Sequence, residues 1–389
     1  MERTRYLIVG GGMTADAACR GIREGDPDGK IVLVAEEPHP PYARPPLSKA
    51  LWKGDNESTI WLGTEALRVD LRTDRKIVGL DPEKRTATDS KGETLKYERI
   101  LFATGGRPRR LPFGGDDIVY FRSLDDYRRL RETAEGGAKY LVIGGGFIGS
   151  EIAAALSMNG RAVTMVFPDD AVGARIFPRD LAASITDYYR GRGVEVVAGA
   201  SVIRLDRSAG KLSATLSNGR TVEADTVVAG IGIEPNVELA SSAGFPVANG
   251  IVVDAHGRVG GREDVFAAGD VARFPVPALD GEMRVEHEDH AKTHGRIVGA
   301  NMAGAHQPYD HLPFFYSDLF DLGYEAVGEL DSRLDTIVDL GDFRKEGVVF
   351  YLDKESKPRG VLLWNMFGRV DDARSLIRAR APIGHGALS

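Results

Sequence analysis

Two glycine clusters carry the strongest chemical signal in the chain. Gly10, Gly12 and Ala15 form a G-x-G-x-x-A pattern, and Gly144, Gly146 and Gly149 form G-x-G-x-x-G. The first glycine of such a pattern permits a tight turn, and the second lets backbone approach a pyrophosphate. The third small residue lets a helix pack on a strand. The helix that follows offers its N–H groups and the positive end of its dipole to the phosphates. An acid then closes the next apolar run: Glu36, 26 residues beyond Gly10, and Asp169, 25 beyond Gly144. A carboxylate there accepts hydrogen bonds from a ribose 2′-hydroxyl. Two such sites read as a flavin dinucleotide held tightly and a nicotinamide dinucleotide that exchanges. Spacing alone does not say which site holds which. Asp169 repels a 2′-phosphate and so favours NAD over NADP. Arg161 and Arg175, near it in sequence, read as surface charge.

The other reactive side chains weigh less. His287, His290 and His294 fall in one expected helix beside Glu286, Glu288 and Asp289. A zinc helix needs H-E-x-x-H, whereas the nearest histidine pair here is spaced i, i+3, so no metal is expected. The expectation is instead that His287 faces a cofactor and the other two are solvated or capping. Cys19 is the single cysteine, which excludes an intramolecular disulfide, a C-x-x-C pair and a thiolate-ligated cluster. It reads as a small core residue. Arg107, Arg109 and Arg110, with Arg128, Arg129 and Arg131, offer either a docking face for an acidic protein or plain solvated charge.

These groups need strands and helices to hold them. Both glycine patterns follow an apolar run, YLIV at 6–9 and YLVI at 140–143, and precede an alanine-rich stretch. Each unit therefore reads as a strand, a tight turn and a helix. The repeat continues through IVLVAEE at 31–37 and AVTMVFPDD at 162–170, and then through two β-meanders with turns DPEK, DSKG and SNGR. After about residue 307, the stretches HLPFFYSDLF, YEAVGEL, DTIVDLG and GVVFYLDKESKPRGVLLWN read as successive short strands, and with a closing helix at 370–378 they suggest a small α+β domain. The expected fold is two Rossmann-like α/β domains, the second inserted in the first, plus that C-terminal domain. The expected boundaries are 1–114 with 238–306, then 115–237, then 307–389. A length of 389 residues fits two or three domains. The 47 glycines are explained by the turns, and a net charge of −7 argues against a nucleic-acid partner. No apolar run reaches the roughly 18 residues of a membrane span. No signal or transit segment is expected before the strand-like run at Arg5, which makes the cytoplasm the expected compartment.

Further segments carry a resemblance. PYARPPLSKALW at 41–52, ATGG at 103–106, GIGIEPN at 230–236, FAAGD at 266–270, VEHEDHA at 285–291 and VLLWNMFGRVDDA at 361–373 span almost the whole chain. Together with the glycine patterns they resemble the FAD-dependent pyridine nucleotide oxidoreductase superfamily, in its ferredoxin-reductase and apoptosis-inducing-factor branch. The resemblance implies FAD in the first site and NADH in the second. It implies that Glu36 binds the adenosine ribose, that Ala103, Thr104 and Gly105 border the FAD, and that Asp270 binds its ribitol chain. Arg44 and Lys49 would line the flavin, with Glu151 pairing to Lys49. By spacing alone, Lys49 reads as surface charge and Glu151 as a helix N-terminal acid. Phe147 and Ile148 fall in the NAD site with Gly232. Phe147 would gate the nicotinamide, while its residue type at a helix start equally suits a core aromatic. Glu286 and His287 would contact the nicotinamide and the flavin edge. Tyr316 falls where apoptosis-inducing factor carries a tryptophan. Lys49, Glu151 and His287 are thus the expected catalytic set. The PYARPPLSK segment lacks the cysteine of the superfamily's disulfide reductases.

The implied activity is hydride transfer from NADH to flavin N5, then electron delivery to a ferredoxin- or rubredoxin-type iron–sulfur protein. Two alternatives stay open. One is an NADH sensor whose stable charge-transfer complex controls dimerisation, which leaves a homodimer open. The other is an oxidase or quinone reductase with a small acceptor.

Overall fold

The computed structural model describes residues 1–208 and 210–388. They form two compact units. The first comprises Met1–Ala43, Ser58–Arg107 and Glu234–Pro313. The second comprises Arg44–Glu57, Pro108–Ile233 and the described chain from Phe314 onward. The segment Arg44–Glu57, expected with the first lobe, therefore packs with the second. No helix among the described residues is long and apolar enough to cross a membrane.

In the first unit a seven-stranded sheet runs in the order Asp70–Arg72, Ile31–Val34, Glu2–Val9, Thr94–Phe102, Thr86–Asp89 and Ile77–Asp81, with Val265–Ala267 also paired to Thr94–Phe102. The pairings around Glu2–Val9 are parallel, with Leu7 opposite Val32 on one side and Ile100 on the other. Tyr6, Leu7 and Ile8 are fully buried, as a central parallel strand covered on both faces requires. The helix Met13–Gly25 buries Ala15, Ala18, Cys19 and Ile22 in the core. It packs on the helix Glu288–Met302 at backbone contact. A Cβ on Gly21 would lie 2.0 Å from the Arg296 carbonyl oxygen, and one on Gly299 would lie 2.1 Å from that of Ala18. The Cys19 thiol is sealed in this core, and burial pushes it up to about 12.

The second unit repeats the plan. A five-stranded parallel sheet orders Val194–Ala198, Ala162–Phe167, Lys139–Ile143, Thr226–Ala229 and Ile118–Tyr120. A three-stranded antiparallel meander, Val202–Ser208, Lys211–Leu216 and Thr221–Ala224, sits beside it in sequence. The helix Leu124–Glu135 starts at a capping box, in which the side chains of Ser123 and Asp126 bond each other's backbone N–H. The C-terminal region is a five-stranded antiparallel sheet in the order Phe314–Leu319, Leu322–Gly328, Pro358–Trp364, Gly347–Leu352 and Asp335–Asp339, closed by the helix Val370–Ala379. Trp364 is wholly buried there, stacked on Tyr324 and edge-on to Phe177.

Candidate functional site

Both glycine turns have the geometry that a dinucleotide phosphate needs. Gly10 has φ +122°, and a Cβ there would lie 2.1 Å from the Ala103 carbonyl oxygen. Gly144 has φ +120°, and its Cβ would lie 2.3 Å from the Gly230 carbonyl oxygen. The third position sits against its own turn: a Cβ on Gly149 would be 2.1 Å from the Gly144 carbonyl oxygen, and Ala15 is fully buried. The middle glycines differ in kind. A Cβ on Gly12 or Gly146 would meet nothing within 4 Å. These residues are the N-caps of their helices, and no side chain caps either helix. An open face over an uncapped helix start is a cradle for a pyrophosphate. The residues present fit FAD and a nicotinamide dinucleotide.

The first unit positions most of the remaining candidates. Glu36 lies just past the strand Ile31–Val34, exposed, with the Lys76 ammonium 3.2 Å away. Ala103, Thr104 and Gly105 follow the strand Thr94–Phe102. There Thr104 Oγ1 donates to the Asn236 carbonyl at 2.8 Å, and Asn236 Nδ2 donates back to the Thr104 carbonyl at 2.8 Å. Asp270 occupies the turn Gly269–Val271, and its carbonyl accepts a hydrogen bond from Arg284 at 3.1 Å. Arg284 also pairs with Glu286 at 2.9 Å. His287 is the N-cap of the helix Glu288–Met302. Burial holds its imidazole down to about 4, against the pull of Asp270 and Asp289.

His290 and His294 correct the expectation that they are solvated or capping, for both are fully buried. His290 stacks on Phe274 at 4.4 Å, with its Nδ1 2.8 Å from the Tyr309 hydroxyl. His294 Nδ1 accepts the Gly269 backbone N–H at 3.3 Å. Burial keeps His294 down to about 3 and lowers His290 in the same direction.

The second unit contributes an ion pair. Lys49 Nζ lies 2.8 Å from Glu151 Oε1, with the two side chains 11% and 3% exposed. The Tyr316 ring centroid is 5.2 Å from the same ammonium, within cation–π range. Ser48 Oγ donates to Glu151 Oε2 and Ser317 Oγ to Oε1, each at 2.6 Å. The short turn Pro45–Ser48 supplies Ser48, the helix Phe147–Met158 supplies Glu151, and the strand Phe314–Leu319 supplies Ser317 and Tyr316. Arg44 donates to the Arg122 carbonyl at 3.0 Å. Phe147 opens its helix half exposed, edge-on to Phe315 at 5.1 Å, so it is not a core aromatic; Ile148 beside it is exposed too. Gly232 turns at φ +88°, and its carbonyl accepts the Arg109 N–H at 2.9 Å.

Asp169 follows the strand Ala162–Phe167 and pairs with Arg175 at 3.2 Å. Arg175 is thus exposed, as expected, and yet engaged with the acid. Most of the arginines offered as a docking face are also locally engaged. Arg107 pairs with Glu234 and Glu238, and Arg128 with Glu57. Arg110 lies over Tyr120 and Arg131 over Trp52.

Residues 4–295 match the family described as "Pyridine nucleotide-disulphide oxidoreductase". The chain belongs to that family. Residues 298–340 match the region described as "Apoptosis-inducing factor, mitochondrion-associated, C-term". Among curated relatives, the mitochondrial apoptosis-inducing factor 1 of Dictyostelium discoideum is 34% identical over 98% of this chain and 80% of its own length. The ferredoxin–NAD(+) reductase component of the anthranilate 1,2-dioxygenase system of Burkholderia cepacia is 34% identical over 98% of this chain and 96% of its own. The solved covalent putidaredoxin reductase–putidaredoxin complex superposes with a TM-score of 0.90 at 30% identity, covering 98% of this chain and 95% of that one. Family membership makes the chain an NAD(P)H-dependent flavoprotein oxidoreductase of the ferredoxin-reductase type that binds FAD and NAD(H).

Sequence reading did not single out Ser48, Ser317 or Asn236. Ser48 adjoins Lys49 and was open to suspicion on that ground. Asn236 closes the GIGIEPN segment and Ser317 sits at an inward strand position, but nothing local names their partners, which lie 132 and 166 residues away.

Proposed function

We propose that the chain is an NADH-dependent FAD oxidoreductase whose acceptor is a ferredoxin-type iron–sulfur protein. Bound FAD supplies the capacity to take a hydride from NADH and to pass electrons on. The observation that carries the reading is the sequestered Lys49–Glu151 pair, which has no need to be buried for folding alone. By the family resemblance, an ammonium fixed there would stabilise negative charge on a reduced flavin. Glu151 holds that ammonium in place, and the Tyr316 ring limits its movement. Glu36 and Asp169 accept hydrogen bonds from ribose hydroxyls, and the two glycine turns hold the phosphates. Asp169 selects NADH, with Arg175 beside it softening the discrimination. Asp270 would orient the ribitol chain. His287, kept neutral by burial, would contact the ring edge without adding charge. Phe147, half exposed against Phe315, would swing aside to admit the nicotinamide. The names of the Burkholderia cepacia relative and of the solved reductase–putidaredoxin complex support an iron–sulfur acceptor. A rubredoxin would fit the same chemistry.

The match of residues 298–340 favours a second reading, an NADH sensor that turns over slowly and shifts its association state. Anaerobic stopped-flow mixing with NADH, followed by mixing with a ferredoxin, separates the two. Rapid bleaching of the yellow colour and rapid reoxidation support the reductase. Slow bleaching with a persistent long-wavelength band transfers the assignment to the sensor. A chain that takes up no FAD on reconstitution refutes both.

A further inference from the structure

Glu151 is held more firmly than an ion pair alone requires. A carboxylate with one partner turns freely about its terminal torsion, which is broad and roughly two-fold. Here each oxygen has its own hydroxyl donor at 2.6 Å, Ser48 on Oε2 and Ser317 on Oε1. Such short O–H···O⁻ bonds are about twice as strong as neutral ones. Ser317 lies directly opposite Tyr324 on the neighbouring strand. Both serines are buried, so water does not replace either hydroxyl. Only one plane of the carboxylate satisfies both, and in that plane the oxygen bonded by Ser317 also faces Lys49.

We propose that Ser48 and Ser317 are positioning residues, which lock the Glu151 carboxylate and through it fix the point at which the Lys49 ammonium stands. The inference rests on the reading of Lys49 as the flavin-facing group. Tyr189 on the helix Arg179–Gly191 and Tyr324 on the strand Leu322–Gly328 also feel the Glu151 charge. Burial, and then that charge, raises both phenols well above their ordinary range, so they stay neutral.

The test is single-turnover flavin bleaching by NADH in the FAD-loaded protein, with NADH affinity and urea unfolding measured on the same preparations, for wild type, Ser48→Ala, Ser317→Ala and Ser48→Thr. Each alanine variant is expected to bleach about fivefold slower at saturating NADH while binding NADH within about twofold of wild type, the effect of losing one hydrogen bond to the carboxylate. Ser48→Thr, which keeps a hydroxyl, is expected to restore the wild-type rate. Alanine variants that bleach within about 1.5-fold of wild type overturn the proposal. If Ser317→Ala does not retain FAD, Ser48→Ala on its separate segment decides alone. Lys49→Met is run beside them. Slow bleaching by Lys49→Met upholds the role of the lysine whatever the serines do. Wild-type bleaching by Lys49→Met refutes that role, and the proposal with it.

Discussion

Replacing Glu151 by glutamine removes one charge and almost no volume, which makes it the sharpest probe of the buried pair. The carboxylate and ammonium meet at 2.8 Å with 3% and 11% of their side chains exposed. At that distance and an effective dielectric constant near 20, their attraction is about 6 kcal/mol, offset by several kcal/mol of desolvation for each ion. In Glu151→Gln the attraction is gone while the desolvation of the ammonium remains. Breaking a buried pair from one side costs about 3–5 kcal/mol, so a loss of about 3 kcal/mol is expected. Urea unfolding followed by tryptophan fluorescence reads this directly, because Trp52 and Trp364, two of the three tryptophans, belong to the second unit. Adding Lys49→Met is expected to recover most of the loss, since no unpaired charge then remains. The coupling in the double-mutant cycle should reach at least about 2 kcal/mol. A loss below about 1 kcal/mol for Glu151→Gln, the value of an exposed pair, would refute the account.

Two further outcomes follow from the buried groups and the turns. His294 is neutral when folded because burial lowers it to about 3, whereas the unfolded chain binds that proton below about 6.5. Its contribution is therefore intact above about pH 6.5 and is lost as pH falls toward 3, at about 1.4 kcal/mol per unit once the unfolded chain is protonated. Unfolding midpoints measured from pH 7 down to about 4.5 should fall, and His294→Gln should flatten the slope; equal slopes would count against burial as the cause. Gly144→Ala puts a side chain at φ +120° and 2.3 Å from the Gly230 carbonyl oxygen. Strain of about 1–3 kcal/mol should weaken NADH binding by tenfold or so while leaving the FAD content unchanged. A titration that gives an NADH affinity within about twofold of wild type would show that the turn does not need glycine.

What could be read from the chain depended on how local each feature is. The glycine turns were legible because each needs only an apolar strand before it and a helix after it, all within some twenty neighbouring residues. The run of C-terminal strands and their closing helix were legible for the same reason. The Lys49–Glu151 pair was not visible in spacing and came only with the resemblance of the PPLSK segment. The serines show the limit most clearly: alternation along Phe314–Leu319 marks Ser317 as inward, but nothing local says that a carboxylate waits there. His290 and His294 were misread because histidine beside acids usually means solvent. Their burial is set by Phe274 and Tyr309, contributed from outside their own helix. The segment 44–57 has no periodicity, being a pair of short turns, and its packing partners were out of reach of any pattern.

The placement of Arg44–Glu57 in the second unit has a consequence for how the protein is made. Ser48 leaves the ribosome 103 residues ahead of Glu151, and Glu151 leaves 166 residues ahead of Ser317. The segment that carries Lys49 is synthesised long before the strand that completes its surroundings. Neither unit is a contiguous stretch of chain, and the first waits for Glu234–Pro313 before its helix Met13–Gly25 can be covered. The lysine is therefore born exposed, and its ion pair gains its last donor only after another 166 residues have followed Glu151. Chains stalled or truncated before Phe314 would carry Lys49, Ser48 and Glu151 but neither Ser317 nor Tyr316, and the open side of the ion pair would leave such a chain less stable than a finished one.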